Sequence, residues 1–156
     1  MSDLNRRDFV IAAACAAGAC MMCGSLVEAA DTATAAGGNK VDVGNISDYA
    51  KDGVYDKLAD SKKVIMVREN GKIYAMSAIC THKMGIVKLK GKELVCPKHN
   101  SHFADDGKPK SGPAKASLFH LGIAQNADGT IQVDPSKKFG ENQWNDDGAS
   151  LTVKSA

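Results

Sequence analysis

Four side chains that can bind metal lie close together near the middle of the chain. Cys80 is followed two residues later by His82, and Cys96 is followed three residues later by His99. Both pairs lie in short segments rich in lysine and turn-forming residues, between stretches that alternate like strands. Thiolate and imidazole groups are good ligands for transition metals. The spacing therefore predicts two loops that each deliver one thiolate and one imidazole to a common site.

Two metal sites and one metal-free arrangement are compatible with these residues. A zinc ion would take all four ligands in one tetrahedron. A [2Fe–2S] cluster would take both cysteines on one iron and both histidines on the other. Zinc fingers usually place Cys next to Cys and His next to His along the chain. Each segment here has one Cys and one His, which favours the two-metal cluster. A disulfide between Cys80 and Cys96 is the metal-free alternative, but it would not need the histidines.

The first thirty residues differ in composition from the rest and predict an export signal. Arg6 and Arg7 stand just before an uncharged run, residues 9–27, and a tract of small residues follows it. A basic start, an apolar run and Ala-rich cleavage candidates are typical of a signal peptide. The paired arginines resemble the twin-arginine export signal. We expect residues 1–30 to be this signal or an N-terminal anchor, and residues 31–39 to be a linker.

The fate of the signal decides how many cysteines the mature protein keeps. Cleavage after Ala29 would leave two, Cys80 and Cys96, and would remove Cys15, Cys20 and Cys23. The uncharged run has 19 residues, close to the roughly 20 apolar residues that span a bilayer. Since it is rich in Ala and Gly, it is only weakly hydrophobic, and both cleavage and retention as an anchor stay open.

Residues 40–156 predict one all-β domain of short antiparallel strands. Three stretches have the pattern of a hairpin, with turns at Asn70–Gly71, at Gly91 and at Asp128–Gly129. Residues 40–44 and 151–153 predict further strands, and residues 46–60 predict a loop with one helical turn. With 15 glycines and only 5% aromatic residues, the composition suits a turn-rich β protein.

The segments CTHKMG, VCPKHNSHF and GKPKSGPA together resemble the Rieske iron–sulfur family, whose pattern is C-x-H, a spacer and C-x-x-H. The match includes Pro97, Ser101, Phe103 and the GPA at residues 112–114, and it runs from about residue 41 to residue 134. The resemblance implies a small antiparallel β-sandwich or barrel with a two-loop tip that binds a [2Fe–2S] cluster.

The resemblance also assigns roles to individual residues. It implies that Cys80 and Cys96 bind one iron, and that His82 and His99 bind the other, exposed iron. Pro113 resembles the proline of a third loop that covers the cluster.

Three positions depart from the high-potential members of that family. Those members have an extra cysteine in each loop, joined as a disulfide, where this chain has Gly85 and Lys98. They also tend to have tyrosine where this chain has Phe103. A tyrosine hydroxyl would donate to a ligand sulfur and raise the potential, whereas Ser101 can still donate to a bridging sulfide. We predict a midpoint in the lower half of the Rieske span of about −150 to +300 mV.

Two other histidines and the single tryptophan are predicted to have no metal-binding role. His102 should face away from Ser101 and Phe103, at the surface. In the third hairpin, the alternation places three apolar residues on one face and His120 on the opposite, solvent face; those three are Phe119, Leu121 and Ile123. Trp144 is interpreted as a packing residue rather than a docking residue.

The lysines suggest a partner. Residues 83–115 hold eight lysines against three acidic residues, a net charge of +5, whereas the whole chain is only +2. These lysines either solvate turns or form a basic collar around the histidines, with Lys83 and Lys98 nearest to them. A collar would steer an acidic redox partner by long-range attraction. The modest net charge and sparse aromatics argue against nucleic acid.

Together these features predict an exported [2Fe–2S] protein that carries single electrons between redox partners. It would be periplasmic or at the outer face of the cytoplasmic membrane, with membrane association through residues 9–27 if they are retained. We expect an electron-transfer protein or subunit rather than an enzyme on its own. One alternative is an iron–sulfur subunit of a membrane or periplasmic oxidoreductase, in a quinol–cytochrome c complex or similar to the arsenite oxidase small subunit. The other is a zinc-stabilised binding module.

Overall fold

A computed structural model describes residues 39–153, which form a β domain with two short 3₁₀ helices. The strands are β1 Val41–Asn45, β2 Gly53–Tyr55, β3 Val64–Glu69, β4 Lys72–Ser77, β5 Lys88–Lys90, β6 Glu93–Cys96, β7 Ser101–Phe103, β8 Pro109–Ser111, β9 His120–Gln125, β10 Thr130–Phe139 and β11 Leu151–Thr152. The 3₁₀ helices are Ile46–Tyr49 and Glu141–Gln143. The all-β prediction is confirmed. The predicted signal and most of the predicted linker lie outside the described residues.

The strands form two antiparallel sheets. The large sheet has the order β1-β10-β9-β4-β3-β2, and β11 pairs with β4. The small sheet has the order β5-β6-β7-β8. The chain enters the small sheet after β4 and returns to the large sheet at β9, so the small sheet is an insertion between two neighbouring strands. No helix among residues 39–153 is long and apolar enough to cross a membrane.

The β3–β4 hairpin forms a wall between two hydrophobic cores. In β3, Val64 and Met66 pack with β9 and β10 in one core, while Ile65 and Val67 pack toward the small sheet in the other. All four are at most 2% exposed. Because both faces of the hairpin are covered, its sequence is a continuous apolar run without polar alternation.

The three predicted hairpins are confirmed as β3–β4, β5–β6 and β9–β10. The first turns at Asn70 and Gly71, which both have positive φ, 51° and 74°. Two such residues in a row are the mark of a tight type I′ turn. The strands predicted near residues 40–44 and 151–153 are also confirmed, as is the single helical turn within residues 46–60. The sequence did not predict β7 and β8, nor β2, which lies in the stretch 46–60 that was expected to be a loop.

Two side-chain predictions for the third hairpin are wrong. His120 is only 3% exposed, because its ring is stacked between Tyr74 at 4.6 Å and Trp144 at 4.2 Å. Phe119 does not share the buried face of Leu121; it is 41% exposed because it precedes the strand, which begins at His120. The packing role predicted for Trp144 is confirmed.

Candidate metal centre

Two loops at one end of the small sheet carry the four predicted ligands. The first loop, residues 80–87, follows β4, and its turn is closed by hydrogen bonds from Cys80 N to Gly85 O at 2.8 Å and from Met84 N to Cys80 O at 3.0 Å. The second loop, residues 96–101, joins β6 to β7, and its ends pair directly across the sheet. Each loop therefore has a rigid base that fixes where its side chains lie.

The structure brings the four side chains together as two matched pairs. Cys80 and Cys96 are 2% and 1% exposed, lie next to each other, and are free thiols rather than a disulfide. His82 is half-buried and His99 is exposed, and their ring centroids are 4.9 Å apart. Two thiols thus line the inside of the site and two imidazoles line its outer side.

The pKa values of Cys80 and His99 are both shifted toward the neutral forms of these side chains. The pKa of the Cys80 thiol is raised by burial and by the neighbouring Cys96, although backbone N–H groups of His82 and Lys83 oppose the rise. The pKa of the His99 imidazole is lowered by loss of hydration and then by His82 and the adjacent lysines. A bound metal would supply the positive charge that keeps buried thiolates deprotonated, and it requires neutral imidazoles.

The residues present fit a two-metal cluster better than a single ion. The Nδ1 atom of His82 is buried and has no hydrogen-bond partner among the described residues, so it is free to bind a metal. Within residues 39–153, no three His, Cys, Asp or Glu side chains are placed to hold one metal ion. One iron bound by two thiolates and a second bound by two imidazoles needs only two protein ligands at each position.

The interior of the site is packed without spare room at Gly85. A Cβ atom there would lie 2.7 Å from the Cys96 sulfur and 2.9 Å from the Lys98 Cβ. Real Cβ atoms are essentially never found so close to other atoms. The absence of a side chain at Gly85 is therefore what lets the two loops approach each other.

A third loop, residues 112–117, lies against the second. Gly112 has φ of 92°, and a Cβ atom there would lie 2.6 Å from Asn100 O. In the same loop, Ala114 N donates to Ser101 Oγ at 3.2 Å. Pro113 stands between these contacts in the chain. The sequence predicted Gly112 only as part of the GPA motif. It did not predict that Gly112 lies so close to the backbone of Asn100.

Three residues that follow the second pair of proposed ligands alternate between the core and the surface. Ser101 and Phe103 are fully buried, and Phe103 packs in the same core as Cys80 and Cys96. His102 points the other way, as predicted, and its Nδ1 lies 3.0 Å from Glu93 Oε2. The pKa of the Glu93 carboxyl is lowered by this hydrogen bond and by Lys110.

The outer surface of the site is basic with one apolar side chain. Lys83 and Lys98 are exposed beside the two histidines, and Met84 is 77% exposed next to Lys83. Met84 also has a positive φ of 54°, which is unfavourable for a residue with a side chain. The outer surface of the site thus combines positive charge with one exposed apolar side chain.

Comparison with known proteins supports this description. Residues 39–131 match the Rieske [2Fe-2S] domain. The chain is 32% identical over 75 residues to the cytochrome b6-f complex iron-sulfur subunit 1 of the Cyanophora paradoxa cyanelle, covering 46% of this chain and 31% of that protein. It is 35% identical over 82 residues to the cytochrome b6-f complex iron-sulfur subunit of Chlorobaculum tepidum, covering 51% and 45%. The chain thus spans less than half the length of these curated relatives.

Similar solved structures include the plasma membrane Rieske protein PetC3 from Synechocystis PCC 6803. It has a TM-score of 0.45 and 28% identity, covering 60% of this chain and 97% of that one. The soluble domain of the Rieske protein II (soxF) from Sulfolobus acidocaldarius has a TM-score of 0.47 and 19% identity, covering 64% and 79%.

Proposed function

The chain belongs to the Rieske [2Fe–2S] domain family, and from that premise we propose that it is an exported protein that carries single electrons between redox partners. The [2Fe–2S] cluster that this family binds supplies one-electron oxidation and reduction. The observation that carries the proposal is the arrangement of the ligands, with two buried thiols inside and an outward pair of imidazoles. Imidazoles at the surface give electrons a short path to a partner.

In this proposal the four predicted residues hold the cluster. Cys80 and Cys96 bind the inner iron, and His82 and His99 bind the outer one. Two neutral imidazoles in place of thiolates make the site less negative, which raises the potential above that of all-cysteine clusters. The buried side chain of Phe103 and the third loop with Pro113 exclude water from the inner side.

Metal analysis tests the ligand assignment. Purified protein should contain about two irons and about two acid-labile sulfides per chain, with little zinc. His82→Ser or His99→Ser should abolish or change the electron paramagnetic resonance signal of the reduced protein. His102→Ser is the matched control, since it alters a histidine three residues from His99 that faces Glu93 instead. One zinc per chain and no sulfide would contradict the assignment.

We further propose that the basic surface around the histidines docks an acidic redox partner. Residues 80–115 carry a net charge of +5, while the other described residues carry −2. This separation of charge would orient an acidic protein toward the site before contact. Lys83 and Lys98 lie nearest to the imidazoles.

Electron transfer to a small anion tests the charge effect. With hexacyanoferrate(III) as oxidant, Lys83→Glu should slow the reaction several-fold at low ionic strength, and salt should remove the difference. Lys72→Glu is the control, because Lys72 begins β4, whereas Cys80 follows the other end of this strand at Ser77, about 17 Å further along at about 3.3 Å per residue. Equal effects of the two variants would contradict local steering.

The proposed domain organisation assigns residues 1–30 to a twin-arginine signal, residues 31–39 to a linker and residues 40–156 to the cluster domain. Arg6 and Arg7 before an uncharged run support this proposal. The twin-arginine route carries folded proteins, so the cluster could be inserted before export to the periplasm or the outer membrane face. Replacing both arginines with lysine should leave precursor in the cytoplasm. Normal export of that variant would indicate the general secretory route.

The second candidate is an iron–sulfur subunit of a membrane or periplasmic oxidoreductase. The names of the curated relatives favour it, since they are called subunits of a cytochrome b6-f complex. In that case residues 9–27 would be kept as an anchor. Size-exclusion chromatography of detergent-solubilised membranes separates the two candidates, because a subunit elutes with larger partners and a carrier elutes alone.

A further inference from the structure

Two side-chain hydrogen bonds hold the third loop against the other two. Thr81 Oγ1 donates to Ala116 O at 2.7 Å, which joins the first loop to the third. Ala114 N donates to Ser101 Oγ at 3.2 Å, which joins the second loop to the third. Neither of these bonds connects the first loop directly to the second.

The Lys98 side chain joins that pair. Its Nζ donates to the Lys83 carbonyl oxygen at 3.1 Å. Its stem runs over Gly85, since a Cβ atom built there would lie 2.9 Å from Lys98 Cβ and 3.4 Å from its Cδ. Apart from the contact between the two thiols themselves, this is the one side-chain hydrogen bond between the first and the second loop within residues 39–153. The two described cysteines are free, so no covalent bond supports it.

The position of this bond connects it to the proposed ligands. The acceptor is the backbone carbonyl of Lys83, the residue after His82. The donor is the side chain of Lys98, the residue before His99. Any separation of the loops would therefore change the distance between the two imidazole rings, now 4.9 Å. Ligand geometry tunes a metal centre through such outer contacts.

We propose that Lys98 is a positioning residue that latches the second loop to the first and so fixes the spacing of the two histidines. This inference rests on the proposed ligand set. The latch depends on where the Lys98 amine is held, and not only on its charge. Attraction of an acidic partner, in contrast, needs only a basic residue at the surface. The latch requires a donor at the end of a stem long enough to cross Gly85.

Matched variants separate the latch from the charge. Lys98→Met removes the donor and the charge but keeps an unbranched stem. Lys83→Met removes the same charge beside the other histidine, yet it keeps the backbone carbonyl that accepts the bond. Lys98→Arg restores a donor and a charge. The three variants and the wild type are compared as cluster-loaded proteins.

The first measurement is the rate at which iron is lost to the chelator ferrozine, followed together with the resonance spectrum of the reduced cluster. Lys98→Met should lose iron about two- to tenfold faster, the change that one ordinary hydrogen bond makes to an equilibrium. Its g-values should shift, and hydrogen exchange at Met84 and Gly85 should speed up. Lys83→Met and Lys98→Arg should match the wild type in iron loss, g-values and exchange.

Equal iron loss from Lys98→Met and Lys83→Met would overturn the latch and leave only a charge effect. Failure of Lys98→Arg to restore the wild-type rate would also overturn it. A wild-type protein without iron and sulfide would instead refute the ligand set, and the latch with it. The metal content of the wild type therefore tells the two failures apart.

Discussion

The large sheet and the small sheet of this protein are held together in different ways. The large sheet has strands of up to ten residues, and its core is aliphatic, with fully buried side chains such as Val64, Ile73 and Ile131. The small sheet has strands of three or four residues, and its core includes Cys80 and Cys96 themselves. Burial of apolar surface supports both sheets, but because two thiols form part of the core beside the small sheet, we expect the stability of that sheet to depend also on the bound metal.

The charges follow the same division. A net charge of +5 lies in residues 80–115, which contain the small sheet, the first two loops and most of the third, while the other described residues carry −2. The region with the shorter strands thus also holds the proposed ligands and the proposed docking surface. We therefore expect changes in the two parts of the chain to have separable effects.

The largest expected effect is a loss of stability on acidification, caused by His120 in β9 of the large sheet. Burial lowers the pKa of this imidazole to about 4, against an ordinary value of 6.5. The unfolded chain therefore binds a proton at higher pH than the folded chain does. Stability should be full above pH 6.5 and should fall between about pH 6.5 and pH 4, by about 2 to 3 kcal/mol.

Denaturant unfolding at pH 7 and pH 4.5 measures this loss. His120→Phe is the matched variant, since it keeps a ring between Tyr74 and Trp144 but cannot bind a proton. The difference between wild type and variant removes the effect of other titrating groups. If both lose the same free energy between the two pH values, His120 is not the group responsible.

His120 also shows how far the sequence could predict this structure. Alternation along β9 correctly placed its ring opposite Leu121, but it could not show that Tyr74 and Trp144, distant in the chain, would cover that face as well. The three hairpins could be predicted because their turn residues and strand patterns are local. The four proposed ligands could be singled out for a similar reason, since their spacing is itself the signal.

The contacts between loops could not be predicted in the same way. The close approach of Gly112 to Asn100 and the bond from Lys98 to Lys83 join segments that only the tertiary fold brings together. Nothing in the local sequence distinguishes Lys98 from seven other lysines nearby. The sequence thus singled out the proposed metal ligands, whereas the structure was needed to show which contacts hold their loops.

Among changes near the small sheet, we expect the largest loss of metal from Gly85→Ala in the first loop. The new methyl group would lie 2.7 Å from the Cys96 sulfur, so either the thiol or the loop must move. Overpacking of this kind costs about 1 to 3 kcal/mol. The variant should lose most of its iron and sulfide, while the far-ultraviolet circular dichroism of the large sheet persists.

Gly140→Ala is the control for this substitution. Neither glycine has a positive φ, but the nearest atom to a Cβ at Gly140 is 4.0 Å away. This variant should retain its iron. Normal metal content in Gly85→Ala would mean that the loops tolerate a wider spacing than the structure indicates.

A smaller effect is expected on the potential from Ser101. Its buried oxygen accepts a hydrogen bond from Ala114 N, which leaves its own hydroxyl proton free to donate toward the cluster. Ser101→Ala should lower the midpoint by about 20 to 60 mV, corresponding to about 0.5 to 1.5 kcal/mol for one hydrogen bond. Phe103→Tyr should raise it by a similar amount if the new hydroxyl reaches a ligand sulfur.

Redox titration followed by electron paramagnetic resonance measures these shifts, with exposed Ser111→Ala as the control in the neighbouring strand. The wild-type midpoint should lie in the lower half of about −150 to +300 mV. A value near +300 mV would show that the positive charge of Lys83 and Lys98 outweighs the missing tyrosine donor. An unchanged midpoint in Ser101→Ala would show that this hydroxyl does not donate to the cluster.

The smallest effect is expected where the two regions meet. Lys88 of β5 and Asp60, which precedes β3, form an ion pair at 2.8 Å, and both side chains are about half exposed or more. Beside it, Leu89 N donates to Asp56 Oδ2 at 2.9 Å. A double-mutant cycle with Lys88→Met and Asp60→Asn should give a coupling of about 0.2 to 1 kcal/mol that decreases with salt.

The state of the metal decides whether this coupling is seen at all. With the cluster bound, both regions should unfold together, and the pair then contributes to the measured free energy. After removal of iron, the short strands of the small region should unfold first, which breaks the pair before the large sheet melts. The coupling measured from the main transition should then disappear. A coupling that persists without iron would show that the small region folds on the large one without its metal, and that the contrast between the two regions is weaker than their cores suggest.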